Sequence, residues 1–174
     1  PVSEALYALR DCPVVALRRR AKYLLIELEH GQVLIHLGMS GTLRVVDATL
    51  PLRKHDHVDL LLDSGKVLRF NDPRRFGSVD LLLNPELDLW PPFAALGPEP
   101  LGADLTPEHL REATRGRKQA IKLLLLDQRI VAGLGNIYVC EALWQAGIHP
   151  RKAGGKVTLP QLKRLVPAIK DVLT

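Results

Sequence analysis

The sequence predicts an α+β fold in which a β-sandwich or barrel precedes a helical domain. Three observations predict it. Seven short β-branched or leucine-rich runs, punctuated by turn residues, occupy residues 1–84. Five prolines then fall between Pro85 and Pro100. Beyond them the punctuation becomes that of helices, with capping residues ahead of apolar stretches.

Taken in order, Ser3–Arg10 predicts a short helix. Strands are expected at Val14–Arg19, Tyr23–Glu29, Gln32–Leu37, Thr42–Val46, His57–Asp63, Lys66–Phe70 and Ser78–Leu83. Asp63-Ser64-Gly65 and His30-Gly31 mark hairpin turns, because glycine accepts the positive φ such turns require. Closely spaced short strands suit a sandwich or barrel. Residues 85–105 read as a proline-rich linker without regular structure. Residues 106–174 form the helical domain. Thr106-Pro107-Glu108 supplies an N-cap, a proline at the first helical position and a first-turn acid. Lys118–Asp127 predicts a second helix. Asn136 caps a third over Ile137–Ala146, ended by Gly147. Thr158-Leu159-Pro160-Gln161 is a capping box for a fourth helix running to about Leu173.

Composition narrows the function classes. With 47% hydrophobic and 25% charged residues among 174, the chain can bury an ordinary core. No apolar run approaches the roughly 18 residues that cross a bilayer, and no signal-peptide pattern opens the chain. Cys12 and Cys140, the only cysteines, suit a reducing compartment and cannot by themselves make a four-ligand zinc site. The net charge is +5. Arg18–Arg20 with Lys22, Arg115–Lys118 with Lys122, and Arg151, Lys152 and Lys156 form three separate basic clusters, which fit a polyanion track better than one solvated face.

Two glycine-flanked turns carry special-purpose side chains. His36-Leu-Gly-Met-Ser-Gly41 places Met39, the only methionine, between Gly38 and Gly41; Asn71-Asp-Pro-Arg-Arg-Phe-Gly77 places Arg74 and Phe76 between Pro73 and Gly77. A flexible apolar wedge, a cation and an aromatic ring on turns can enter a base stack; equally, Met39 and Phe76 can fill a core beneath two hairpins. Gly133-Leu-Gly-Asn136 enters a helix, which makes either an anion site or a plain cap. Ala146–Pro150 closes that helix with a second tight turn, so helix, turn and further helix form a DNA-binding arrangement in outline. His55 and His57 could share one face of a strand and hold a metal, but no third ligand has convincing spacing. A phosphate or backbone hydrogen bond from either ring fits as well, with Asp56 or Asp59 fixing the ring. Lys22, in Arg20-Ala-Lys-Tyr23, could cover a sheet edge, hold a phosphate, or donate a proton if a nearby cation lowered its pKa.

Read jointly, these stretches resemble the bacterial formamidopyrimidine-DNA glycosylases, the base-excision repair enzymes for 8-oxoguanine and ring-opened purines. The matching segments are Arg19–Leu25, His36–Gly41, Lys54–Asp59, Asp72–Gly77, Gly97–Leu101, Gly133–Tyr138 and Ala146–Pro150, in the family's order. The resemblance implies an N-terminal β-sandwich, a helix-two-turns-helix domain and DNA in the cleft between them. It implies that Met39 enters the gap left by a flipped base, Arg74 addresses the orphaned cytosine and Phe76 wedges the stack. Lys22 matches the position assigned as proton donor in β-elimination. Lys22, His55, Arg117, Lys118 and Asn136 match positions that contact the DNA backbone or lesion strand. The partner implied is double-stranded DNA carrying oxidised purines, met by a monomer in the bacterial cytoplasm, with no membrane contact.

Two departures shape the remaining expectations. The family's nucleophile is an N-terminal proline followed by glutamate, which forms a Schiff base with the sugar. Here Val2 follows Pro1, and Pro1-Val-Ser-Glu4 resembles an internal family segment, so Pro1 is not expected to be the nucleophile. The chain is expected to be a central fragment with an incomplete sandwich. It would lack the N-terminal catalytic segment and the C-terminal zinc finger that binds Zn2+ in the family, and would be inactive as it stands. An endonuclease VIII-type glycosylase for oxidised pyrimidines and a non-catalytic DNA-binding module are the alternatives.

Overall fold

A computed structural model describes residues 2–83 and 90–174. The chain divides into two compact units, Pro1–Glu86 and Leu87–Thr174. Pro1 and the start of the expected linker, residues 85–89, lie outside the described residues.

The first unit holds β1 (Val14–Arg20), β2 (Tyr23–Leu28), β3 (Gly31–His36), β4 (Thr42–Asp47), β5 (Asp56–Leu61), β6 (Lys66–Asn71) and β7 (Ser78–Leu83). They form a four-stranded sheet ordered β1-β2-β3-β7 and a three-stranded sheet ordered β4-β6-β5, with antiparallel pairing throughout. Period-two alternation aims one face of each sheet inward. Ile26, Val33, Ile35, Val79 and Leu81 from one sheet meet Phe70, Leu43, Val58, Leu60 and Leu68 from the other. The result is the expected sandwich-like region. The short helix expected over Ser3–Arg10 is a 3-10 helix, Glu4–Ala8. Ser3 Oγ accepts from the Ala5 N–H there, and only Leu6 is buried.

The second unit contains α1 (Pro91–Ala94), α2 (Pro107–Thr114), α3 (Ile121–Leu126), α4 (Asn136–Gln145) and α5 (Leu159–Asp171). Leu110, Ile121, Leu125, Leu134, Val139, Leu143, Leu162, Leu165 and Ile169 build its core. Thr106 Oγ1 caps α2 by accepting from the His109 N–H, and the capping box at Thr158 and Gln161 forms as expected. Gly147, at φ 65°, ends α4.

Three expectations are corrected. The proline-rich stretch does contain regular structure, because prolines in the first turn of α1 forgo no intrahelical hydrogen bond. The helix expected over Lys118–Asp127 begins only at Ile121. The residues before it bond instead to a distant segment: Gly155 N–H to Arg117 O, Gly154 N–H to Gln119 O and Ile121 N–H to Lys152 O. Asn136 is the first residue of α4 rather than its cap, a position held by Gly135.

Candidate nucleic-acid interface

In the first unit the His36–Gly41 turn and the Asn71–Gly77 loop lie against each other. A Cβ on Gly38 would come within 2.6 Å of both Gly77 N and Phe76 C, and Gly38 has φ +64°. A Cβ on Gly77 would stand 2.6 Å from His36 O. Only glycine at both positions lets the two backbones touch. Met39 is 73% exposed and Phe76 58%, so neither fills a core. Arg74 lies over the Phe76 ring, its guanidinium carbon 4.8 Å from the centroid. Three long side chains are thus presented together on adjoining loops.

A buried carboxylate lies beneath them. Asp72 Oδ2 accepts from Gly77 N–H at 2.7 Å, and Oδ1 accepts from Ser40 Oγ at 2.7 Å and Arg74 N–H at 3.3 Å. Burial pushes this carboxyl's pKa up, but the hydrogen bonds from Gly77, Ser40, Arg74 and Arg75 outweigh it and hold it below the usual carboxylate value. Sequence reasoning passed over Asp72 and Ser40. The signal available was an aspartate followed by proline, which favours a side-chain-braced turn.

His55 stands on the loop entering β5, at φ +74°. That loop is anchored by charge. The Asp56 carboxylate accepts from Arg53 N–H at 2.7 Å and from Asn71 Nδ2 at 2.8 Å. Arg69, on β6 and 2% exposed, donates to Asp59 at 2.8 and 2.7 Å and to Leu50 O at 3.0 Å. Asp56 and Asp59 therefore hold arginine and backbone partners rather than a histidine ring. His57 Nε2 donates to Asp72 O at 2.9 Å, which ties the His55 loop to the Asp72 loop. Among the described residues no group of three or more His, Cys, Asp or Glu could hold a metal.

Lys22 sits in the β1–β2 turn, after Ala21 at φ +52°. Partial burial lowers its ammonium pKa; the expected cause, a neighbouring cation, is replaced by desolvation. His36 faces it. Its Nδ1 accepts the Gly38 N–H at 3.1 Å and its ring packs on Tyr23 with centroids 4.8 Å apart. Burial, then the charge of Lys22, lowers the His36 pKa.

The second unit carries Arg117, Lys118 and Asn136, all exposed. Arg117 and Lys118 lie on the segment between α2 and α3, which the Gly154 and Gly155 N–H groups bind through Gln119 O and Arg117 O. Asn136 opens α4 after Gly133, at φ +77°. No side chain caps the N-terminus of α4, so its first N–H groups have no side-chain partner at the cap. Gln128, which sequence reasoning missed, shapes this turn. Its Nε2 donates to Leu126 O and Leu134 O at 3.0 Å each, and its Oε1 accepts from Gly133 N–H at 2.8 Å.

Two family models match the chain: the formamidopyrimidine-DNA glycosylase N-terminal domain over residues 2–79 and the H2TH domain of the same family over residues 96–174. The chain belongs to the formamidopyrimidine-DNA glycosylase family. The corresponding protein of Alcanivorax borkumensis is 65% identical over 173 residues, and that of an Escherichia coli strain 50% identical over 173; each match takes in 99% of this chain and 64% of the relative. A crystal structure of the Lactococcus lactis enzyme, bound non-covalently to DNA containing an AP site, superposes with a TM-score of 0.85 at 34% identity, covering 93% of this chain and 62% of that one. The Thermus thermophilus protein gives 0.86 at 32% identity, covering 99% and 62%. The chain thus spans 60–64% of the length of the curated relatives it matches.

The match over residues 2–79 overturns one expectation. The family's N-terminal domain is present in this chain, and the expectation of a fragment without its catalytic segment, inactive for that reason, falls with it. The helical unit matches the H2TH domain as expected. No helix among the described residues is long and apolar enough to cross a membrane.

Proposed function

We propose that the protein acts in base-excision repair, as a DNA glycosylase and AP lyase that removes oxidised purines from duplex DNA and nicks the resulting abasic site by β-elimination through a Schiff base. The observation that carries this is the set of exposed Met39, Arg74 and Phe76 on two loops braced by a buried aspartate. A thioether chain fills an irregular gap, a guanidinium donates to base-edge acceptors, and an aromatic ring replaces a stacking partner. In this function Met39 and Phe76 occupy the space of the extruded nucleotide and Arg74 reads the base left behind. Lys22, whose pKa is lowered by desolvation, donates the proton in strand cleavage. His55, Arg117, Lys118 and Asn136 hold phosphates, the last with the open N-terminus of α4. The partner is double-stranded DNA, bound by a monomer in the bacterial cytoplasm where that DNA lies. The family's Zn2+ binds outside the residues described here.

The whole protein tests this. It should nick a duplex with 8-oxoguanine faster than one with thymine glycol, and borohydride should trap a covalent adduct on abasic DNA. Preference for thymine glycol, or no trapped adduct, overturns the assignment.

A further inference from the structure

The turn bearing Met39 and the loop bearing Arg74 and Phe76 come from distant parts of the chain. Their backbones touch at Gly38 and Gly77. That contact sets how near they come but supplies no directional bond between them. One side chain does. Ser40 Oγ donates to Asp72 Oδ1 at 2.7 Å, across 32 positions of sequence, and accepts from Arg74 N–H at 3.3 Å. The carboxylate it reaches is fully buried and also binds Gly77 N–H at the far end of the second loop. Both ends of the Asn71–Gly77 loop are thus pinned to the group that receives Ser40, and Ser40 is the residue next to Met39.

We infer that the Ser40–Asp72 hydrogen bond is a latch joining the two loops into one rigid wedge, and that Ser40 is a positioning residue for entry of Met39 into the duplex. The inference rests on the proposed function and adds a residue to it. Exposed side chains such as Met39 and Phe76 lose conformational freedom when they enter a stack. A rigid base beneath them limits that cost to the side chains themselves. Without the latch the Met39 turn must also be ordered at each encounter. The carboxylate stays ionised in its buried site, so the acceptor persists at neutral pH.

A double-mutant cycle in the whole protein tests the latch, read as the single-turnover rate of 8-oxoguanine excision. Ser40→Ala should slow excision about tenfold, in line with loss of a hydrogen bond to a charged group. Met39→Ala should slow it at least as much. In the Met39→Ala background, adding Ser40→Ala should cost less than about twofold, because there is no longer a side chain to position. A loss of stability alone would slow both backgrounds equally. If the tenfold loss persists without Met39, or if Ser40→Ala has no effect while Met39→Ala does, the latch is refuted and the repair function stands. If Met39→Ala leaves the rate unchanged, the role of Met39 in the proposed function fails and the latch fails with it.

Discussion

His36 shows how one residue links two parts of the candidate site. Its Nδ1 must be unprotonated to accept the Gly38 N–H. Burial and the neighbouring Lys22 charge favour that neutral form by lowering the pKa from the ordinary 6.5. A base whose pKa is depressed by folding stabilises the native state fully above its unfolded pKa, and the contribution is lost as pH falls through the folded value. The stability advantage of the native protein over His36→Gln should therefore shrink between about pH 8 and about pH 5. Urea unfolding at the two pH values measures this, and an advantage that stays constant contradicts the assigned tautomer. At this scale the sequence was informative where chemistry is local. Met39, Arg74 and Phe76 stand out because glycine and proline flank them. Ser40 and Asp72 do not, since their partnership spans 32 positions and exists only once β4 and β6 pair. Arg69 was equally hidden. A charged residue in a strand reads as solvent-facing, and nothing local indicates that Asp59 lies opposite it in register.

At the scale of elements, strands were legible because turn residues punctuate them, and their bounds shift by at most two residues. The helix before Asp127 was the exception. Lys118, Gln119 and Ala120 suit a helix by propensity, yet their backbone region bonds to residues 152–155, so tertiary pairing overrides propensity. The turn into α4 depends on a comparable device. Gln128 makes three hydrogen bonds that fold residues 126–134 around its amide. Gln128→Ala should cost about 2 kcal/mol, from two or three such bonds at ordinary strength. Denaturant unfolding measures it. A change under about 0.5 kcal/mol would show that the turn holds itself without the amide.

For the whole molecule, sequence and structure agree on a sandwich-like unit followed by a helical unit, each with its own core. The basic clusters read from the sequence occupy both units, on β1 and the turn after it in the first, and around α3 and in the segment before α5 in the second. What sequence misjudged was the family's N-terminal domain, which residues 2–79 match. Val2 in place of the family's glutamate is a local departure and does not outweigh a match over a whole domain. The central claim is that Met39, Arg74 and Phe76 take the place of an extruded nucleotide. A crystal structure of the whole protein on a duplex with a stable abasic-site analogue tests it most directly. Met39 and Phe76 should lie within the stack, in contact with flanking bases at about 4 Å, with Arg74 donating to the unpaired base. A complex in which all three side chains point away from the duplex would contradict it.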